Sequence, residues 1–532
     1  MPRYRSTGTS QGDSSIVRRN AKTSEVLKTS EVCGRSRSGL IRMAVLAMVT
    51  VLAAGCTSWR EYVQNGFKVG PNYHPPAAPV ANEWIDWKDP AVDSKQAADP
   101  AWWRAFNDPV LDSLVGTAYR ENLSLRSAGM RILEARAQRG IAVGELFPQL
   151  QDAFGSYTRT NQSANLANEF PVKYYDEWTR GASLAWELDF WGRFRRAIEA
   201  ADANLDAQIE NYDNVLVLLL AEVAQRYVDI RTAEQRLEYA RKNVEIQRGS
   251  LGLADVKFRN GATTRLDVTQ GQTNLSQTEA TIPPLEAQRR QAANAVCILL
   301  GMPPHELDGT LNASRGIPTA APQVAVGIPA DLLRRRPDIR RAEREVAAQS
   351  ALIGVATSDL YPHFFISGSL YFDAAHFSDL YSTGSLAGNV GPSFRWDLLN
   401  YGRLLNNIRL QDARFERLAY DYQNLVLQAN AEAENALVGF LKAQQQVKAL
   451  RRSAQAAAES LDLVQLQYNE GKADFNRVFN VQQALTQQQD LLAVAEGDVG
   501  KYLILLYKAL GGGWQIRLGP PSQPEAAAAP SN

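Results

Sequence analysis

The sequence predicts a mixed fold: a membrane β-barrel of amphipathic strands joined to a long α-helical barrel. Three observations predict it: an export signal, a tandem duplicated strand-strand-long-helix unit, and helical patterns far longer than a globular core requires. The chain has 532 residues, 57 basic and 57 acidic side chains, and a mean hydropathy of −0.29. This balanced charge gives no reason to expect a nucleic-acid partner. No stretch reaches the roughly 20 apolar residues that a spanning helix needs.

The N-terminus carries the export signal. Arg35, Arg37 and Arg42 precede an apolar run over residues 43–54 that ends in small residues. Positive residues followed by a short apolar stretch are typical of a secretory signal. A membrane anchor is the alternative, but about 12 apolar residues are too few to span a bilayer. We therefore expect residues 1–55 to be a signal peptide with a long, polar front region.

A cysteine directly follows this signal. Cys56 stands after an Ala-Gly pair, which resembles a bacterial lipobox, where the thiol is lipidated and the signal is removed. The next residue is Thr57 rather than an aspartate, which in lipoproteins is typical of sorting to the outer membrane. We expect a lipid anchor such as palmitate at Cys56, followed by an extended segment over residues 56–100.

One unit of the sequence is present twice. Trp186 and Trp396 lie 210 residues apart (396 − 186), and later glycines, arginines and a Leu-Gly pair keep that offset. Upstream, Phe147 matches Tyr361 at an offset of 214 (361 − 147). The length difference between the copies therefore falls between Pro148 and Trp186, where a loop tip tolerates it. We expect the following segments: a first repeat over residues 101–313, a linker over 314–340, a second repeat over 341–513 and a disordered tail over 514–532.

Two strands are expected in each repeat, at about residues 150–190 and 363–398. Alternation over about ten residues per strand is the pattern of a transmembrane barrel. A soluble sandwich has the same alternation, but large aromatic residues near the strand ends and the export signal favour lipid. The apolar positions that alternate with polar ones are Ala182, Leu184, Trp186, Leu188 and Phe190 in the first repeat, and Phe364, Ile366, Leu370, Phe372, Val390, Pro392, Phe394, Trp396 and Leu398 in the second.

Long helices are expected after each Gly-Arg turn. The helical pattern from about Arg195 to Phe258 spans roughly 100 Å at 1.5 Å per residue. In the second repeat, apolar and small residues at steps of three and four lead up to Tyr468 and form a heptad seam. We expect the chain to reverse at Gly261 and Gly471, because glycine permits a tight bend.

The strand number predicts an oligomer. Four strands per chain are too few to close a barrel, because even small barrels need about eight. Open sheet edges must then be covered by other copies. Three copies would supply twelve strands, but strand counting alone does not select the number three.

Several short motifs resemble one known family, the outer-membrane factor lipoproteins of tripartite (RND-type) efflux systems, of the TolC/OprM/NodT type. The resemblance covers about residues 69–513, and the linker motif Leu-Leu-x-Arg-Arg-Pro-Asp-Ile is its most specific element. The motifs are Gly70-Pro71-Asn72-Tyr73, Trp102-Trp103 with Phe106 and Asp108-Pro109, Ile328-Pro329-Ala330-Asp331-Leu332-Leu333, and Arg335-Arg336-Pro337-Asp338-Ile339.

The resemblance implies a homotrimer with a twelve-stranded outer-membrane barrel and a twelve-helix periplasmic tunnel, lipid-anchored in a Gram-negative envelope. It also implies docking to a periplasmic membrane-fusion adaptor and an inner-membrane transporter, and passive conduction of small molecules such as drugs, metals or other toxicants. It implies no cofactor and no bond chemistry, so the protein is expected not to be an enzyme. The alternatives are an exit duct for type I-like protein secretion and a periplasmic coiled-coil scaffold that never enters the membrane.

The resemblance also places a periplasmic gate at the helix bends, near Gly261, Tyr468 and Gly471. Asn476 stands where the family usually has an apolar gate residue, and Asn480 stands where it usually has a pore-facing aspartate. Both are departures, because an asparagine ring can form hydrogen bonds but carries no charge. Asp267 and Arg477 occupy equivalent places in the two repeats, and we hypothesise that they help to pin the bends in the closed state. The alternative is that both are solvated charges at the tips.

Metal, phosphate and catalytic sites have little support in the sequence. The four histidines lie far apart, at no metal-ligand spacing. Acidic residues flank Arg334–Arg336, which favours a structural linker over a phosphate site. Cys297 lies at an apolar helix end and is expected to be an inert, buried thiol. We therefore predict no catalytic residue, no cofactor and no metal site.

Overall fold

The computed structural model describes most of the chain between Trp59 and Gly519. The predicted signal peptide and the lipidation site at Cys56 lie outside the described residues. The described ranges are residues 59–93, 100–163, 165, 171–312, 314, 316–319 and 322–519.

The first half of the chain contains short elements, then a helix, two strands and two long helices. In chain order these are α1 (Trp59–Gln64), β1 (Val92–Asp93), a 3₁₀ helix (Trp102–Phe106), α2 (Pro109–Glu121), α3 (Leu123–Gly144), β2 (Leu150–Asn161), β3 (Tyr174–Leu188), α4 (Arg193–Arg259) and α5 (Arg265–Leu299).

The second half repeats that order after a short connecting region. Its elements are α6 (Asp308–Leu311), β4 (Val324–Ala325), a 3₁₀ helix (Pro329–Asp331), α7 (Leu332–Arg335), α8 (Pro337–Ser358), β5 (His363–Ala374), 3₁₀ helices (Phe377–Asp379 and Thr383–Ser385), β6 (Leu386–Arg395), α9 (Arg403–Asn469), α10 (Phe475–Ala509) and a 3₁₀ helix (Trp514–Leu518).

The duplication predicted from the sequence is present in the structure. Helices α3 and α8 both have 22 residues, α4 and α9 both have 67, and α5 and α10 both have 35. The equivalent tryptophans also make equivalent contacts. The indole of Trp186 donates to the Leu146 carbonyl oxygen at 3.1 Å, and that of Trp396 donates to the Leu360 carbonyl oxygen at 2.9 Å.

Four of the described strands form one antiparallel sheet in the order β2-β3-β5-β6, and β1 pairs with β4 in a separate parallel sheet. The register of the four-stranded sheet separates two surfaces. The polar face carries the cross-strand row Asp152, Ser183, Ser369 and Asn389. The apolar face carries Ala182, Leu184, Trp186, Ile366, Leu370, Phe372, Val390, Pro392 and Phe394. Pro392 lies on β6, an edge strand of this four-stranded sheet, which is a position where sheets tolerate proline.

The strands end earlier than the alternation predicts. The pattern places Phe190, Trp396 and Leu398 in strands, but β3 ends at Leu188 and β6 at Arg395. In the first copy, Asp189 turns the chain, because its carboxylate accepts hydrogen bonds from the backbone N–H groups at the start of α4. Polar–apolar alternation continues through this turn, so pattern alone does not detect it.

The helices pack along buried stripes of small and branched residues. Helix α4 lies against α3, α5, α8 and α10, and α9 lies against α8 and α10. The main hydrophobic core surrounds the middle of α4 and α9, and a second group, the tip cluster, lies at the helix bends. Among the described residues, no helix combines the length and the apolar character needed to cross a membrane. The tip cluster consists of Ala254, Leu461, Val464, Tyr468, Phe475, Val478 and Leu485.

The first residues of the predicted disordered tail are ordered. The prediction was wrong for residues 514–518, which form a 3₁₀ helix. The Trp514 indole donates to the Arg335 carbonyl oxygen at 2.9 Å, and Arg517 makes an ion pair with the buried Asp213 at 2.7 Å. A buried carboxylate requires a partner, and Arg517 supplies it. Residues 520–532 lie outside the described residues.

Candidate functional site

Both helix bends adopt the same backbone motif. Gly261 has a φ of 70° and Gly471 a φ of 76°, the left-handed region that favours glycine. In the first bend, the N–H of Ala262 donates to the carbonyl oxygen of Lys257 at 2.8 Å. In the second, the N–H of Lys472 donates to the carbonyl oxygen of Gln467, also at 2.8 Å. This Schellman arrangement satisfies carbonyl groups in the last turns of α4 and α9 and reverses the chain.

The helices that return from the bends begin differently. Asp474 caps α10, because its carboxylate accepts from the Arg477 N–H at 3.0 Å. Thr264 stands at the equivalent place before α5 and makes no such side-chain cap. There the Thr263 hydroxyl donates to the Asp267 carboxylate instead. Asp267 thus has its hydrogen-bond partner within its own bend.

Tyr468 is the centre of the tip cluster. Its side chain is buried, and its ring meets that of Phe475 edge-on with centroids 5.5 Å apart. The Lys257 ammonium lies 3.9 Å from the Tyr468 ring centroid and also donates to the Tyr468 carbonyl oxygen. These contacts join the end of α4, the end of α9 and the start of α10, so both hairpins meet at one tyrosine.

The electrostatic surroundings of Tyr468 favour its neutral form. Burial, and after it the negative charge of Asp267, raises the pKa of the Tyr468 phenol above its usual value. Among the described residues the phenol oxygen has no hydrogen-bond partner. A buried hydroxyl without a hydrogen-bond partner destabilises the conformation that contains it. A different conformation of this tip could give the Tyr468 hydroxyl such a partner.

The other predicted gate residues lie at the surface of the chain. Asn476, Arg477 and Asn480 are exposed, whereas Asp267 is half-buried. Asn476 and Asn480 are four residues apart on α10 and therefore share one side of that helix. Within the described part of the chain, Asp267 and Arg477 form no ion pair with each other. The structure thus brings Tyr468, Gly471 and Asp267 together but leaves the asparagines and Arg477 apart from that cluster.

A row of polar contacts between α4 and α10 was not predicted. Arg236 and Asp490 form two hydrogen bonds, of 2.6 and 3.1 Å. Further towards the bend, Asn243 donates to Gln489 at 2.8 Å, and Gln482 donates to the buried Ser250 hydroxyl at 2.7 Å. We call these pairs the polar seam. The heptad pattern of apolar residues does not indicate these polar pairs. Nothing in the sequence around Asp490 indicates that it pairs with Arg236.

A second set of contacts holds the segment before the first repeat. Arg195 donates to the carbonyl oxygens of Gly66 and Phe67, both at 2.8 Å. Arg196 donates to Val69 at 3.1 Å and to Gly70 at 3.0 Å. We call these two arginines and residues 66–70 the N-terminal clamp. It fixes the segment that follows the predicted lipid site beside the first turn of α4.

The clamp also contains a charged group. Lys68 and Arg196 both pair with Glu199. Burial acts to raise the pKa of the Glu199 carboxyl, but the hydrogen bonds from Lys68 and Arg196 outweigh it and lower this pKa below the usual value.

The remaining residues considered in the sequence analysis are Cys297, the possible metal ligands and the arginines of the linker. Cys297 is fully buried, as predicted, with its Sγ 3.7 Å from the His305 ring. Within the described residues, no group of three or more histidine, cysteine, aspartate or glutamate side chains could hold a metal ion. Arg336, from the linker motif, is buried and forms ion pairs with Asp338 and Glu432. These contacts agree with a structural role in the linker.

Solved structures with this architecture are outer-membrane channels. The structure of the outer-membrane channel OprN matches with a TM-score of 0.79 at 32% sequence identity, over 84% of this chain and 99% of that chain. The fold of long helices and a small sheet therefore defines the class of protein as an outer-membrane channel.

The sequence comparisons give the family. The family model described as outer membrane efflux protein matches residues 114–302 and 328–512, which correspond to the two repeats. Nodulation protein T of Rhizobium leguminosarum bv. trifolii is 32% identical over 460 residues, 86% of this chain and 97% of that protein. SilC of Salmonella typhimurium, named a probable outer membrane lipoprotein, is 27% identical over 481 residues, 89% of this chain and 100% of that protein.

The chain belongs to the outer membrane efflux protein family. The resemblance seen in the sequence motifs is thereby confirmed. The protein is the outer-membrane component of an efflux pump, and it resides in the outer membrane of a Gram-negative envelope.

Proposed function

We propose that three copies of this chain form one continuous channel, with twelve strands closing an outer-membrane barrel and twelve helices closing a periplasmic tunnel. The observation that carries the proposal is the sheet β2-β3-β5-β6, whose outer strands pair with no further strand in the described part of the chain. Unpaired strand edges in a bilayer require a partner strand. Four helices per chain, α4, α5, α9 and α10, supply the tunnel wall.

The channel conducts small molecules passively, from a periplasmic membrane-fusion adaptor and an inner-membrane transporter that supplies the energy. The polar face of the sheet supports this, because the row from Asp152 to Asn389 suits contact with water and solutes. The protein performs no bond chemistry and needs no cofactor for this role. Drugs, metal ions or other toxicants are the expected cargo.

The channel is anchored by lipid on Cys56 and closed at the helix bends. The N-terminal clamp supports the anchor, since it holds the segment after Cys56 next to α4. The tip cluster supports the gate, since Tyr468 joins both hairpins. Gly261 and Gly471 shape the bends, Asp267 and Arg477 pin them, and Asn476 and Asn480 line the opening without adding charge.

Fractionation and conductance test this function together. We expect heat-modifiable trimers in outer-membrane fractions, single channels in planar bilayers, and antibiotic hypersensitivity in cells that lack the protein. A soluble periplasmic product would support a coiled-coil scaffold and contradict the channel. Loss of a secreted protein without antibiotic hypersensitivity would support a protein-secretion duct. Replacing Cys56 with serine should abolish palmitate labelling.

A further inference from the structure

The apolar face of the sheet carries two arginines, Arg159 and Arg180. Arg180, on β3, is directly opposite Gly155 on β2 and Phe372 on β5. Its neighbours on the same face of β3 are Trp178 and Ala182. A guanidinium group with apolar and aromatic neighbours on this face requires an explanation, because a charge on the lipid side of a barrel is costly.

Arg180 makes no ion pair with a carboxylate in the part of the chain that the structure describes. Its contacts are two aromatic rings: the Cζ atom lies 5.3 Å from the Phe372 centroid and 4.3 Å from the Tyr381 centroid. By contrast, Arg159, on the same face, has Asp176 at 3.7 Å. Cation–π contacts orient a guanidinium but leave its N–H donors free.

The side of Arg180 that faces β2, away from these two rings, is open. Gly155 has no side chain, and a Cβ atom there would meet only the Thr179 carbonyl oxygen, at 3.8 Å. On the side away from the helices, Trp178 contacts Tyr157 at 4.4 Å and Phe377 at 5.0 Å between ring centroids. Arg180 thus lies next to an aromatic group, in the half of the sheet away from α4 and α9.

Aromatic belts of barrels lie at the level of the lipid headgroups, and arginines near them extend their charge to that level. We propose that Arg180 binds a phosphate group of an outer-leaflet glycolipid. This inference rests on the proposed function, because it takes the apolar face as the lipid-facing side of a barrel. Phosphate is the matching anion, since its oxygens accept the paired N–H groups of a guanidinium.

Lipid titration tests the site. Bis-phosphorylated lipid A and its fully dephosphorylated form are titrated into the detergent-solubilised full chain and followed by native mass spectrometry. We expect Arg180→Gln to bind the phosphorylated lipid about fivefold more weakly than wild type, as expected for one surface arginine. Arg159→Gln, which removes a paired arginine on the same face, is the matched control and should change binding less than about twofold.

The outcomes separate this inference from the proposed function. Equal binding of the two lipids by wild type overturns the phosphate site without needing any variant to fold. Equal losses in both arginine variants also overturn it, because they indicate general charge attraction. A separate measurement follows the quenching of tryptophan fluorescence by brominated lipid. Quenching that is present in wild type and lost in Trp178→Phe would show that this face contacts lipid. If that quenching is absent, the barrel orientation fails and the inference fails with it.

Discussion

Lys257 and Tyr468 form a link between the two copies of the repeat. The Lys257 ammonium lies over the Tyr468 ring and donates to the carbonyl oxygen of the same residue. Position 467, the equivalent of Lys257 in the second repeat, is Gln467. The second repeat therefore has no equivalent lysine, and the contact is made by Lys257 of the first repeat with Tyr468 of the second.

Replacing Lys257 with methionine should loosen the closed tip. The change removes a cation–π contact worth about 1 kcal/mol, so the open fraction of channels should rise about fivefold. Single-channel recording in planar bilayers measures it. Lys242→Met is the control, because Lys242 is an exposed residue of the same helix that pairs with Glu238. Equal opening in both variants would contradict a specific role for Lys257.

Asp267→Ala and Arg477→Ala test the proposed pinning of the bends. Each should raise conductance and antibiotic leakage, with the larger effect for Asp267, whose charge acts on Tyr468. Glu470→Ala is the control, because Glu470 is a charge at the same bend that pairs with Lys472. Unchanged conductance and leakage in both test variants would show that these are solvated tip charges.

Gly70→Ala should release the N-terminal clamp. A Cβ atom at Gly70 would lie 2.4 Å from the Gly354 Cα, and the φ of Gly70 is 82°. Gly66→Ala is a matched control, since its φ is 69° but a Cβ atom there meets nothing closer than 4.0 Å. The control should cost about 1 kcal/mol from its backbone conformation, and Gly70→Ala should cost more. Limited proteolysis of residues 60–72 and thermal unfolding measure the difference.

The clamp should weaken in acid. Because the folded pKa of Glu199 is lowered, its contribution is present above the unfolded pKa of about 4.3 and is lost as pH falls through the folded value. The carboxylate is partly exposed, so the contribution is less than about 1 kcal/mol. The protection factor for hydrogen exchange at the Val69 N–H, which donates to the Trp191 carbonyl oxygen, should fall as the pH drops below the unfolded pKa of about 4.3. Glu199→Gln should remove that pH dependence.

Arg336→Ala should destabilise the fold. Arg336 is buried and donates to Asp338, Glu432 and the Ala509 carbonyl oxygen. Removing it leaves the Asp338 carboxylate without its cationic partner, which should cost about 3 kcal/mol. Chemical denaturation measures the loss, and Arg334→Ala is the control. A loss below about 1 kcal/mol would contradict the structural role.

The sequence predicted the features that depend on local pattern. The 210-residue offset between Trp186 and Trp396, the long helices and the bend glycines Gly261 and Gly471 all follow from periodicity or from the conformational freedom of glycine. Each of these features can be read from the order of residues along one chain, without knowing which distant residues touch. The family followed from motifs in the N-terminal segment and the linker, and the outer-membrane location from that resemblance and from Thr57 after Cys56.

Contacts between distant residues were not predictable in this way. Lys257 and Tyr468 are 211 positions apart, and Arg236 and Asp490 are 254 apart. Neither pair has a local signature, because each depends on how the helices lie side by side. The order of Trp514–Leu518 escaped prediction for the same reason, since it depends on Arg335 and the buried Asp213.

The equal lengths of α4 and α9, and of α5 and α10, restrict how this chain can change in length. One added residue in a helix rotates everything beyond it by about 100° and shifts it by about 1.5 Å. Such an insertion in one copy would turn Tyr468 away from Lys257. Insertions of about seven residues, made alike in both copies, would keep the same faces together. Relatives of different tunnel length should therefore differ by matched, two-turn steps.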